Sequence, residues 1–153
     1  MKTLASVADK AELLQRLHHV RADSARLWGR MSAPEMVCHV TDSFRMLTGE
    51  KEVSHVAHLL NRTVVKWIAL YLPAPWPRGR IHTRPEVDPQ CRGTRPADFA
   101  ADVRALEHVV ERITARPEAW QGRRHPVFGR LTSSAWLRWG YLHMDHHLRQ
   151  FGC

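Results

Sequence analysis

Residues 139–151, WGYLHMDHHLRQF, carry His143, His146 and His147 within five positions, three of the chain's eleven histidines. His147 follows His143 by four positions, so on a helix both rings lie on one face, with nitrogens in reach of a single ion. The same stripe holds Trp136, Gly140 and Gln150, at steps of 4, 3, 4 and 3 along Trp136, Gly140, His143, His147 and Gln150, which points the pair toward a core. A buried imidazole with no partner costs roughly 1–3 kcal/mol, and two buried cations repel one another. A pair facing inward therefore needs a ligand or a hydrogen-bond network. By itself an H-x-x-x-H pair is more often structural or exposed than metal-binding. The discriminating residue is His39, on a second helix and one turn from Met36 and Ser43. Three protein nitrogens and an open position complete a tetrahedral or five-coordinate catalytic metal site.

The segments that must position these rings read as five helices with no competing strand pattern, an all-α architecture. The first spans about 9–20, where Asp9 and Glu12 form a capping-box pattern ahead of Leu13, Leu14, Leu17 and Val20. The second opens on SAPE at 32–35, a Ser cap with proline in the first turn and Glu35 placed to reach back, and it stops at Gly49. The third, about 53–72, is apolar around most of its circumference toward its end, as a buried helix is. A fourth opens near TRPAD with Pro96 in its first turn and carries Phe99, Val103, Leu106, Val110 and Ile113 as a seam. The fifth, about 133–150, is capped by Thr132 or Ser133 and bears the histidine pair.

Two irregular stretches interrupt this pattern. PAPWPRGRIHTRPEVDP after residue 72 is a loop of about twenty residues, because repeated prolines remove donors and fix φ. Its Trp76 is placed to fold back as a lid over the hydrophobic end of the helices. The second, EAWQGRRHPVFGRL, precedes the last helix.

Bulk properties limit the alternatives. A chain of 153 residues with 44% apolar and 25% charged residues fits one domain over 1–153 with a real core. The longest apolar run, Trp67–Leu72, is far short of a membrane span, and the N-terminus lacks a signal-type run. A cytoplasmic location and no membrane partner are expected. Cys38, Cys91 and Cys153 have no C-x-x-C spacing and read as reduced thiols. The net charge of +8 rests on nineteen arginines and four lysines. These are scattered, the concentrations at Arg78, Arg80 and Arg84 and at Arg123, Arg124 and Arg130 falling in loops, so solvated charge is favoured over nucleic-acid binding.

Around the three histidines, Asp42 is a candidate for orienting a ligand ring, although an acid facing solvent fits its spacing nearly as well. His146 lies about 100° round the helix from His147 and is assigned a supporting or solvent-facing place. His125 could stand at the mouth of the site, with a loop-fixing hydrogen bond the favoured reading. Trp136 and Trp139 read as core, and Cys38, turned away from His39, as a packed small residue. Asp145 is expected to face water. His18, His19, His55, His58, His82 and His108 share no convergent spacing.

MSAPEMVCHV around His39, with HMDHHLRQF about a hundred residues later, resembles the DinB/YfiT-like superfamily of four-helix-bundle metalloenzymes. The runs LWGRMSAPEMVCH, PWPRG, HPVFGRLT and HMDHHLRQFG are closer to one of its uncharacterised branches, and the likeness covers nearly the whole chain. It implies a four-helix bundle with one additional helix and two long loops, and a metal triad of His39, His143 and His147 binding nickel or zinc. Many members follow the last ligand directly with arginine, whereas here Leu148 intervenes before Arg149, which keeps His146 open as a replacement for His147. The resemblance further implies activation of a thiol or water against a small electrophilic molecule, in a thiol S-transferase or a hydrolase, with a low-molecular-weight thiol as one substrate and a homodimer as one assembly. The rival classes are a non-catalytic metal-binding or stress-associated module and, less favoured, a basic nucleic-acid binder.

Overall fold

The computed structural model describes residues 1–55, 60–79 and 83–153. Expectations resting on His58, Arg80 and His82 lie outside these. Among the described residues there are five α-helices: α1 (Val7–His19), α2 (Ala33–Thr48), α3 (Lys66–Tyr71), α4 (Phe99–Ala115) and α5 (Ser133–Leu148). A two-residue hairpin, β1 (Arg124–His125) with β2 (Gly129–Arg130), precedes α5. The protein is thus mostly helical, and among the described residues no helix is long and apolar enough to cross a membrane.

The helix starts follow local hydrogen-bond chemistry. In α2 the Ser32 hydroxyl accepts from the Glu35 amide, while the Glu35 carboxylate accepts from the Ser32 amide at 2.8 Å, the full reciprocal cap. Gly49 ends that helix at φ +84°, a left-handed conformation that glycine adopts without strain. Thr132 caps α5 by accepting from the Ala135 amide. Two starts differ from expectation. In α1 the cap is Ser6, three residues earlier, because Asp9 turns back to accept from the Thr3 amide at 3.0 Å. In α4 Asp98 caps at the Ala101 amide, leaving Pro96 outside the helix.

The third segment is the larger correction. Residues 52–55 have no regular structure, Asn61–Val65 form a wide π-turn, and only six residues continue as α3. Leu70 is its one fully buried side chain, whereas Leu60, Trp67 and Ile68 are 69%, 60% and 47% exposed. An apolar sequence here does not mean a buried helix, because only one narrow edge of it meets α5. The hairpin leaves no mark in the sequence pattern, since two residues per strand give no period to read.

The core is shared by α1, α2, α4 and α5, through Leu13 and Leu17, Met36, Val40 and Phe44, Leu106 and Val110, and Trp136 and Met144. Helix α2 packs on α4 and on α5, and α1 packs along α5. Helix α5 is central and buried on most sides, and it also receives the chain's start. The Arg138 guanidinium, itself buried, donates to the carbonyls of Leu70, at 3.0 Å, and Lys2. It thereby ties α3 and the N-terminal residues to α5. The approach of α2 to α5 depends on Gly140. A Cβ there would stand 2.8 Å from Leu4 Cδ1 and 3.0 Å from Phe44 Cε1. Because overpacking and χ1 restriction outweigh any helix-propensity gain, Gly140→Val is expected to lower the unfolding free energy by about 2–3 kcal/mol in urea denaturation. An unchanged midpoint would show that the two helices are not held at this distance.

Candidate metal centre

His39 sits mid-way along α2, and His143 and His147 sit one turn apart on α5, so the close α2–α5 contact brings the three rings together. The Nε2 atoms of His39 and His143 are 3.3 Å apart and those of His147 and His143 are 3.2 Å apart. One ligand atom from each residue lies within 4.8 Å of the others, and all three residues are buried. Two nitrogens held 2.0–2.1 Å from a tetrahedral ion stand about 3.3–3.4 Å apart, and about 3.0 Å apart on an octahedral edge. The observed spacings fall in that range.

Tautomers decide what such a cluster can do. The Nδ1–H of His39 donates to the Val87 carbonyl at 2.7 Å, and the Nδ1–H of His147 donates to Gln150 Oε1 at 2.7 Å. With the proton on Nδ1, the Nε2 of each neutral ring carries a lone pair facing the common centre. His143 is stacked on Trp139 at a centroid distance of 4.8 Å and an interplanar angle of 16°, and its Nδ1 is buried with no partner among the described residues. Burial pushes the basicity of all three imidazoles down, for His143 and His147 well below the ordinary histidine range, with neighbouring histidines adding to the effect. The cluster is therefore a set of neutral donors with at most one proton between its Nε2 atoms. That set fits a divalent cation, because metal binding requires deprotonated imidazoles and relieves the lone-pair crowding.

The loop after α3 supplies the carbonyl that orients His39. Asp88, 2% exposed, pairs with Arg30 and accepts from the Gln90 amide at 3.0 Å, while its own carbonyl accepts from Cys91 and Gly93. A Cβ on Gly93 would meet the Asp88 carbonyl carbon at 2.5 Å, so this tight turn admits only glycine. Asp42 completes the fixture, although not by touching His39. Fully buried, it accepts from the Thr94 amide and hydroxyl, both at 2.8 Å, and pairs with Lys51 at 3.0 Å. It fastens the end of this loop to α2, and ring orientation falls to Val87 instead.

This chain belongs to a family of unknown function. The matching family model is described as "Protein of unknown function (DUF1569)" and covers residues 4–152. No curated protein and no solved structure matches the chain.

The remaining residues singled out from the sequence fall around the cluster in graded fashion. His146, half-buried, has its ring centroid 5.4 Å from that of His147 and lies between Trp28, at 4.7 Å, and Trp76, at 5.8 Å. Trp76 does fold back: its indole N–H donates to the Ala69 carbonyl at 2.8 Å and its ring centroid lies 6.3 Å from that of His143. Cys38 is buried with its thiol pushed up to about 12 by desolvation and by Asp102, which makes it an inert packed residue. Trp136 and Trp139 are core. Asp145 pairs with Arg16 at 2.8 Å and Arg149 at 3.7 Å. Of the arginines, Arg30, Arg84, Arg92 and Arg112 are spent on acidic side chains. Val87, Gln150 and Trp28 went unassigned in the sequence. Gln150 alone had a signal, its place three residues beyond His147 on the same stripe.

His125 does not reach the cluster. Its Nδ1 accepts from the amides of Val127 and Phe128 at 3.1 and 3.2 Å, and its ring packs on Phe128, Trp136 and Trp139. It is a loop-fixing residue that supports Trp139 from behind. Desolvation by burial, with some repulsion from His55, pushes it down to about 3. The folded state thus takes up the proton less readily than the unfolded chain, so this contribution to stability is present above pH 6.5 and lost as the pH falls toward 3. Between pH 7 and pH 5 it amounts to about 2 kcal/mol. His125→Gln keeps an acceptor for the two amides but does not titrate. With chelator present throughout, its unfolding free energy is expected to fall less steeply over that interval by about this amount. Parallel pH profiles for both proteins would refute the assignment.

Proposed function

We propose that the chain is a divalent-metal-dependent enzyme of the DinB/YfiT-like four-helix-bundle type, holding nickel or zinc through His39, His143 and His147. On this reading it brings a thiol or water to a small electrophilic substrate, as a thiol S-transferase or hydrolase does. The observation that carries the reading is the pair of Nδ1–H bonds, to Val87 and to Gln150, that turn two bare Nε2 atoms onto a third at 3.2–3.3 Å.

A divalent ion bound by three neutral imidazoles keeps its full charge and supplies Lewis acidity that lowers the pKa of a thiol or water. The chain's own residues do the rest. Val87 and Gln150 hold the rings in register, and Trp139 and Trp76 wall the centre with apolar surface. His146, pushed down to about 4 by desolvation, stays a neutral hydrogen-bonding group at neutral pH beside the cluster. Cys38, the cysteine beside His39, is buried with its thiol pushed up to about 12, so it is no nucleophile for this site. This supports a low-molecular-weight thiol as partner over Cys38.

Elemental analysis of protein purified without chelator is expected to find one nickel or zinc per chain, and His39→Ala and His143→Ala to reduce it at least tenfold. The same content in wild type and variants would remove the reading. In a screen of glutathione or cysteine against 1-chloro-2,4-dinitrobenzene, thiol transfer is expected to stop on chelation and to return with added metal. Metal at full occupancy with no turnover of thiol or hydrolysable substrates would favour the non-catalytic module.

A further inference from the structure

Beside the histidine cluster lies a cavity of about 250 Å³ whose walls include Trp28, Trp76, Pro77, Arg78, His146 and Arg149. It borders the cluster directly, since His146 packs on His147 and Trp76 on His143. Its chemistry is not that of the cluster. Trp28 and Trp76 face the His146 ring from two sides, giving the cavity aromatic walls, with Pro77 extending the apolar surface. Against these walls stands a hydrogen-bond donor left over from folding: among the described residues the Arg78 guanidinium forms no hydrogen bond or ion pair, unlike those of Arg30, Arg84 and Arg92. The one acid in the lining, Asp145, is already held by Arg16 at 2.8 Å and Arg149 at 3.7 Å. The cavity therefore offers one unspent guanidinium, while its negative charge is neutralised.

We infer that this cavity is a binding site for a small organic anion, a carboxylate carried on an apolar or aromatic body, which it holds next to the three histidines. The apolar body lies against Trp76, Pro77 and the edge of Trp28, and the carboxylate takes the Arg78 guanidinium. Arginine recognises a carboxylate with two parallel N–H donors, and a charge-assisted bond of that kind discriminates against a neutral isostere. The volume admits a body of roughly ten non-hydrogen atoms and excludes a macromolecule. This inference rests on the proposed function for what the anion does there, because the reactive group of the bound molecule then reaches the metal ligands, but binding itself needs no metal.

The test uses the full chain, both chelator-stripped and zinc-loaded, with phenylacetate, phenylacetamide and phenethylamine as probes followed by tryptophan fluorescence and calorimetry. Phenylacetate is expected to bind at least tenfold more tightly than either of the others in both forms. Arg78→Gln should lower its affinity about tenfold with phenylacetamide unchanged, and Trp28→Ala, which removes an aromatic wall, should weaken phenylacetate and phenylacetamide alike. Circular dichroism and melting temperature of both variants establish that they are folded. Equal affinity for acid and amide, or a preference that survives Arg78→Gln, overturns the inference. If the stripped protein takes up no metal yet keeps the Arg78-dependent preference, the enzymatic reading fails and the anion site stands; if metal binds and the preference is absent, the reverse holds.

Discussion

Two hydrogen bonds from ring Nδ1 atoms, one to a backbone carbonyl and one to a side-chain amide, govern everything this site can do. Imidazole has one proton to place, and a buried acceptor at 2.7 Å decides where it goes. Once His39 and His147 spend that proton outward, their inner nitrogens become lone pairs with nothing to share but each other and His143. Without those acceptors the same three rings could satisfy one another as a neutral hydrogen-bonded triad, and there would be no reason for a cation. The difference between a self-satisfied core cluster and three rings that could hold a metal ion lies in Val87 and Gln150, neither of which carries a charge.

The scaffold serves to hold those acceptors still. Gly140 lets α2 approach α5, with Phe44 and Leu4 filling the space where a side chain would stand. Arg30 fastens Asp88 and Asp42 fastens Thr94, so the stretch that follows Val87 is anchored at two points. On the other side, Gln150 is pinned through its carbonyl, which accepts from the Leu27 amide at 2.6 Å, and is crowded by Gly29, where a Cβ would lie 2.6 Å from Nε2. The loop between α1 and α2 thus supports His147 and at the same time carries Trp28 to the rim of the cavity. The site is assembled from loops braced on two helices.

What the sequence made legible was whatever depends on short-range spacing. The i, i+4 pair on α5, the reciprocal cap at Ser32 and Glu35, the stop at Gly49 and the close-packing Gly140 all follow from helical geometry within a few residues. What escaped depends on contacts across long separations or on groups without a side-chain signature. A backbone carbonyl such as that of Val87 is the same in every residue, so no pattern announces it. The spacing of Asp42 fits a ligand-orienting acid and a solvent-facing one nearly equally; the structure makes it neither, burying it against Thr94, a partner 52 residues away that no local pattern announces. The segment leading into α3 misled for a different reason: apolar composition says what a segment would gain by burial and not whether the fold has a surface to offer it. In the structure only Leu70 finds one.

The most direct test of the central claim is histidine ¹⁵N NMR on metal-free protein, followed through a zinc titration. The account predicts Nδ1–H tautomers for His39 and His147 before metal is added. On titration the Nε2 signals of His39, His143 and His147 should shift together and reach their end-point at one equivalent. An Nε2–H proton on His39 or His147 in the metal-free protein, or three rings that respond separately and at different stoichiometries, would contradict it.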